Sequence, residues 1–269
     1  MSGIVNSIYN MRLLDDLARK DTFIHRVHPL MKLLTTIFYL IIVASFDRYE
    51  IAGLLPLLFY PVLVMAIAEL PIGPILKRIL LVEPLIIGIG ILNPLFDHQT
   101  VVIGGITISR GWVTFISIFI KCGLTVTAAL LLISTTGMDK LASAMRMLRI
   151  PRLFVLQLLL TYRYISLLME EVARILRAYS LRSPRQKGVH RSAWGSLAGQ
   201  LIVRTLDRAQ RVYQAMCLRG FTGEYHTGGC ERIMARDLAY FAGWVLFFTA
   251  ARIYNIPVFI GSLITGVIR

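Results

Sequence analysis

Apolar residues in this chain gather in long blocks, with charged residues pushed to the block ends and into the links between them. Four such blocks lie at about 33–46, 51–68, 79–96 and 112–135, and an apolar run without a polar face predicts a helix surrounded by protein or lipid. The first block is short for a bilayer crossing of about 20 residues and needs its flanks, whereas the fourth is comfortably long. Four passes are predicted. Between the third and fourth, Val101–Ile108 predicts a small hairpin around Gly104-Gly105. Ahead of the first, residues 1–28 read as an amphipathic lead-in, with Ile8, Met11, Leu14 and Leu17 set against Arg12, Asp15, Asp16 and Arg19.

Past residue 135 the pattern changes to apolar positions at helical spacing among charges. Met138–Leu148 predicts a short amphipathic helix that Arg149-Ile150-Pro151 ends. Arg152–Arg182 then predicts a helix of 31 residues, roughly 46 Å long. It is apolar all round over Leu153–Leu160 and amphipathic beyond, with Glu170 and Arg174 as an i,i+4 pair. Arg163 between Tyr162 and Tyr164 suits an interfacial exit, so this helix is expected to leave the bilayer obliquely.

After a polar link at Ser183–Arg191, a second long helix is predicted over Ser192–Leu218. Leu197, Leu201, Ile202, Leu206, Ala209, Tyr213 and Met216 form its buried stripe, and Arg204, Arg208 and Arg211 its exposed one. Gly195 and Gly199 make a small-xxx-small patch for close helix packing, which would let the two long helices cross. A Gly-rich link, 221–229, precedes apolar stretches at 237–252 and 256–268. Two short passes are expected there, since one helix through both would be about 48 Å long.

The two long helices end alike. Arg174-Ile-Leu-Arg-Ala-Tyr-Ser-Leu-Arg-Ser183 is echoed by Arg211-Val-Tyr-Gln-Ala-Met-Cys-Leu-Arg-Gly220, 37 positions later. Ser183 is followed by Pro184, and Gly220 suits a left-handed C′ position, so both copies stop a helix and set Arg182 and Arg219 at its tip. A cation complementing the last helical turn accounts for one such arginine at about 0.3–1 kcal/mol. Two matched tips point instead to two matched receptors, as in a dimer of similar partner subunits.

Composition places these helices. Hydrophobic residues are 56% of the chain and charged ones 16%, with a mean hydropathy of +0.67, too apolar for an ordinary soluble domain. The net charge is nevertheless +14, and residues 136–236 hold 17 of the 29 Lys and Arg against six acids. The link at 69–78 carries Lys77 and Arg78, while those at 47–50 and 97–111 are less basic. A cytosolic N-terminus and a cytosolic 136–236 follow from the positive-inside rule. The first thirty residues lack an apolar signal-peptide core, so the spans themselves are expected to direct insertion. The expectation is an all-α polytopic membrane protein with about five to six transmembrane helices and long amphipathic cytosolic helices. Its parts are 1–135 with four spans, the cytosolic region 136–236, and a membrane segment at 237–269.

Candidate chemistry is sparse. The chain lacks a phosphate-cradling P-loop, a nucleophile elbow, an H-E-x-x-H pair and a plausible carboxylate dyad, so no enzymatic activity is expected. The arginines follow no nucleic-acid reader pattern, and anionic lipid or an acidic protein fits them better. His25 and His28 have no nearby carboxylate or thiolate, the five histidines form no ligand cluster, and Cys122, Cys217 and Cys230 have neither metal nor disulfide spacing. Glu83 and Lys121 fall inside apolar blocks, where each charge costs about 2.5–3.5 kcal/mol. Two readings are open for them: a coupling pair in a secondary transporter, or charges satisfied by each other or by backbone carbonyls.

His25-Arg-Val-His-Pro-Leu-Met-Lys-Leu34, Leu148-Arg-Ile-Pro151, Leu159-Leu-Thr-Tyr-Arg-Tyr164 and Arg211–Gly220 together resemble the T component of energy-coupling-factor (ECF) transporters. The type resembled is CbiQ, found in cobalt importers. The resemblance implies a membrane subunit that links two ABC-type ATPases to a substrate-binding S component, in the bacterial inner membrane. Arg182 and Arg219 would enter grooves on the two ATPases, flanked by Ala178, Leu181 and Ser183 on one tip and Ala215, Leu218 and Gly220 on the other. Leu181 and Leu218 stand where that signature often has alanine. ATP would be held by the partner subunits, with no cofactor in this chain, and the S component would choose the cargo. Cobalt follows from the resemblance alone, with nickel or a vitamin as alternatives. A secondary transporter using Lys121 and Glu83 is the alternative of a different class.

Overall fold

A computed structural model describes residues 17–47, 51–92, 94, 100–103, 106–183, 188–223 and 233–253. They fall into two compact units, one of residues 17–137 with 231–269 and the other of residues 138–230 with 1–16.

In the first unit, α1 runs Pro29–Ser45. Its opening proline needs no hydrogen-bond donor there, and the preceding His28 accepts Leu30 N–H at its Nδ1, 3.2 Å away. The second apolar block, expected as one pass, is broken. It forms 3₁₀ turns at Ala52–Leu54 and Pro56–Leu58 and then α2, Phe59–Ile67. Pro56 has no N–H to continue a ladder from the turn before it, so the helix restarts. Glu69, at φ 49, closes α2, with Leu70 N–H reaching Met65 O at 3.2 Å.

The expected link at 69–78 is correspondingly shorter. Helix α3 already begins at Ile72 and runs to Gly90, taking in Lys77 and Arg78, because Pro71 and Pro74 fall where an incoming helix tolerates proline. The predicted hairpin is present as β1, Thr100–Ile103, antiparallel to β2, Ile106–Ser109, with Val101 opposite Ile108. Helix α4, Arg110–Thr136, ends at Gly137 (φ 75). The last helix described is numbered α8, Ala235–Ile253, and packs on α1, which also packs on α4. Rings fill the α1–α2–α8 junction: Tyr39, Tyr60 and Phe248 lie 4.8–5.3 Å apart centre to centre, and Tyr39 Oη donates to Leu57 O. The stretch 256–268 lies outside the described residues, as do Ile8, Met11 and Leu14.

The second unit holds α5, Met138–Met147, α6, Arg152–Arg182, and α7, Arg191–Leu218. Arg149 takes a left-handed φ of 60, and Ile150 N–H returns to Met145 O. That reversal folds α5 onto the start of α6 through Ala142, Val155 and Leu159. Helix α7 contains no buried residue, contrary to the expected stripe: Ile202 and Leu206 are each 58% exposed and Tyr213 is 62% exposed. The half-buried positions are Ala193, Leu197, Leu201, Thr205, Arg208, Val212 and Met216, so Leu197, Leu201 and Met216 of the expected stripe do lie on the seam. Apolar residues wrap more than one face of α7, so hydropathy alone could not choose the seam. Gly195 and Gly199 are exposed, with nothing within 4 Å of an added Cβ, and the two long helices meet elsewhere. Arg204 on α7 donates to Glu171 on α6 at 2.6 Å. Arg174, expected to pair with Glu170, pairs with Glu171 at 3.3 Å.

By length and composition α4 and α6 are able to cross a membrane, and α1 and the Pro56–Ile67 stretch are shorter apolar helices.

Candidate functional site

The two arginine tips are built by two different stops. On α6 the helix runs through Arg182 itself, and Ser183 leaves it with ψ 66 while its N–H still reaches Tyr179 O at 3.0 Å. On α7 the last helical residue is Leu218 and Arg219 is the cap. Gly220 there is left-handed at φ 80. Gly220 N–H bonds Cys217 O and Phe221 N–H bonds Met216 O, each at 3.0 Å, the reciprocal pair that closes a Schellman turn.

Leu181 is 81% and Leu218 89% exposed. Ala178, Arg182, Ala215, Arg219 and Gly220 are exposed as well, and Ser183 is half-buried. Among the described residues neither guanidinium has a hydrogen-bond or ion-pair partner. Each tip thus offers a large bare apolar side chain beside a free planar cation. A guanidinium presents five donors in a fixed fork, suited to carboxylates and carbonyls of a partner.

Residues that the sequence did not single out brace the first unit. Asp237, 2% exposed, accepts His28 N–H with Oδ1 at 3.1 Å and Met234 N–H with Oδ2 at 2.9 Å. One carboxylate therefore satisfies an orphan donor at the start of α1 and another at the start of α8, where the helix dipoles also favour a negative charge. Lys32, buried on α1, donates to Thr135 O at 2.9 Å, in the last turn of α4. The His25-to-Leu34 stretch is thus a junction of helix ends. His25 Nε2 donates to Leu17 O at 3.1 Å, which leaves Nδ1 to accept Thr22 Oγ1. Burial, with Lys32 adding to it, pulls this imidazole below its ordinary value, so it is neutral at physiological pH. Asp237 Oδ2 reaching back to Met234 N–H is the backbone half of a capping box, but methionine at the cap position supplies no sequence signature for it.

Glu83 and Lys121 are not joined. Lys121 Nζ donates to Phe46 O at 2.6 Å and Asp47 O at 3.3 Å, the backbone option of the two readings. Glu83, 6% exposed, faces Gly123 across the α3–α4 contact. No group of three or more metal-ligating side chains occurs among the described residues. Cys122 and Cys217 are free thiols, and Cys230 lies outside the described residues.

Residues 20–228, a stretch that includes both tips, match the model of the CbiQ cobalt transport protein family. The chain belongs to this family. It is 27% identical over 186 residues to an uncharacterised protein of Methanocaldococcus jannaschii, covering 65% of this chain and 63% of the relative's length. It is also 27% identical over 152 residues to the cobalt transport protein CbiQ of Salmonella typhimurium, covering 51% of this chain and 67% of the relative. The family is one of transport proteins, and this member is an all-α membrane protein. Helix α8 and its Asp237 lie beyond the matched stretch.

Proposed function

We propose that this chain is the membrane coupling subunit of an ATP-driven cobalt importer of the ECF type. It carries motion from two ABC-type ATPase subunits to a substrate-binding membrane subunit. One observation carries the reading: two long helices of one unit each end in an exposed Leu-Arg pair, Leu181-Arg182 and Leu218-Arg219, with the guanidinium unpaired. A desolvated arginine anchor contributes about 2–4 kcal/mol to an interface, and a helix of 28 or 31 residues is a stiff lever for the force it receives. Family membership and the Salmonella relative support cobalt as cargo. ATP binds the ATPases, and the S component selects the ion.

In this reading 136–236 faces the cytosol with the N-terminus, the chain crosses the bacterial inner membrane several times, and α6 emerges from the bilayer towards its Arg182 end. Lys121 donates to the carbonyls of Phe46 and Asp47 and not to Glu83, which disfavours a Lys121–Glu83 coupling pair and with it the secondary-transporter alternative.

The test is co-purification with the candidate ATPases, together with cobalt uptake, for wild type and the double variant Arg182→Ala, Arg219→Ala. The double variant is expected to lose ATPase association and uptake while keeping its thermal stability. Full retention of both by a folded double variant would falsify the assignment.

A further inference from the structure

Between α6 and α7 runs a groove of about 490 Å³, a size that holds one small ligand or part of a larger amphiphile. It is not uniform along its length. One end is apolar, walled by Leu156 and Leu160 of α6 and Met216 of α7. At the other, past Leu168 and Thr205, it runs into a smaller polar recess that Arg204, Arg208 and Arg211 line, with Glu171 and Asp207. Arg208 belongs to both walls. Glu171 is taken by Arg204 and Arg174. Arg208 also attracts Glu171 through space, but neither Arg208 nor Arg211 makes a hydrogen bond or contact ion pair among the described residues, and the three arginines of the recess face only two acids, Glu171 and Asp207. The recess therefore keeps a net positive charge.

An apolar trough that opens at one end onto unpaired arginines matches an anionic amphiphile. The apolar end lies beside the uninterrupted apolar start of α6, where Leu153 and Phe154 are 75% and 70% exposed, and the cationic end lies further along α6 towards Arg182. If α6 emerges from the bilayer in that direction, the groove's polarity runs the same way as a cytosolic-leaflet lipid, tail inward and headgroup outward. A neutral partner helix would leave Arg208 and Arg211 desolvated without a counter-charge, which is costly.

We propose that the α6–α7 groove is a binding site for one anionic phospholipid, its acyl chain along Leu156, Leu160 and Met216 and its phosphate at Arg208 and Arg211. The lipid would fill the space between the two long helices and so set how they sit against each other. The proposal rests on the reading of α6 as a helix leaving the bilayer, and not on what Arg182 and Arg219 touch.

The experiment uses the full chain, purified and delipidated in detergent, with phosphatidylglycerol or phosphatidylcholine added back and retention read by native mass spectrometry. A phosphatidylglycerol with a photoreactive acyl chain maps the site. Expected are retention of phosphatidylglycerol over phosphatidylcholine, no displacement by inorganic phosphate, and cross-links within 156–168 and 209–216. The variant Arg208→Gln, Arg211→Gln should bind about tenfold more weakly. Leu160→Trp, which fills the trough and leaves the arginines in place, should also weaken retention. The variant Arg182→Ala, Arg219→Ala should retain the lipid fully, which separates this site from the coupling assignment. Equal retention of the two lipids, undiminished binding by the Arg208/Arg211 variant, or cross-links only elsewhere would each overturn the proposal. So would a groove that a co-expressed membrane protein protects while the lipid never cross-links there.

Discussion

At Gly220 the chain takes a backbone conformation that an L side chain disfavours by about 1 kcal/mol, and it does so with open space where a Cβ would stand. The cost of Gly220→Ala is therefore conformational and not steric. We expect that variant to lose about 1 kcal/mol of stability, and Gly220→Asn, which tolerates the left-handed region, to lose less. Thermal unfolding of the purified chain checks the ranking; equal losses for Ala and Asn would mean that the Schellman turn is not what fixes the Arg219 tip. This position was legible, because glycine at a helix end has one common use. Arg149 and Glu69 take the same left-handed conformation and were not legible, because neither residue advertises it. They close the same Schellman turn as Gly220, Arg149 N–H to Arg146 O with Ile150 N–H to Met145 O and Glu69 N–H to Ala66 O with Leu70 N–H to Met65 O, but with a non-glycine residue in the left-handed position.

Helix extents were read well where a stop was chemical. Proline at 151 and glycine at 220 bound α6 and α7, and the observed ranges differ from the expected ones by a single residue at the start of α7. What a helix packs against was harder to read, since α7 is apolar on more than one side and its seam goes through Thr205 and Arg208. Across a largely apolar seam, α6 and α7 share a polar contact between Glu171 and Arg204. Glu171 is largely shielded and Arg204 is half exposed, so their coupling should be modest, about 1 kcal/mol. A double-mutant cycle with Glu171→Gln and Arg204→Gln, measured by thermal unfolding, is expected to give that coupling. Additive losses would show that the contact contributes nothing to holding the two helices together. Glu170 stood out in the sequence because i,i+4 pairs are familiar, but the face that α7 meets is the one carrying Glu171, and only the docking of α7 distinguishes the two acids.

At the scale of the whole chain, hydropathy located the helices but not the joints that hold the helices of the first unit together. The second apolar block reads as a span until Pro56 interrupts its ladder, and the link at 69–78 reads as a loop because Lys77 and Arg78 are charged, though charge does not stop a helix. The joints lie in residue pairs far apart in sequence, such as Lys32 with Thr135 and His28 with Asp237, which no local pattern specifies. Asp237 is the most consequential of these. It holds backbone donors from the heads of α1 and α8, 209 positions apart in the case of His28, and it is buried, so water cannot replace it. Asp237→Ala strands two N–H groups, each costing about 1–3 kcal/mol when left unpaired, and should lower stability by a few kcal/mol. The same variant leaves Arg182, Arg219 and the α6–α7 groove untouched, because all of them belong to the other unit. We therefore expect Asp237→Ala to melt at a distinctly lower temperature than wild type while the fraction that remains folded still associates with the ATPases. A melting temperature equal to that of wild type would mean that the two helix heads are held by something other than this carboxylate. A folded fraction that had lost ATPase association would mean that the helix-head junction reaches the arginine tips after all.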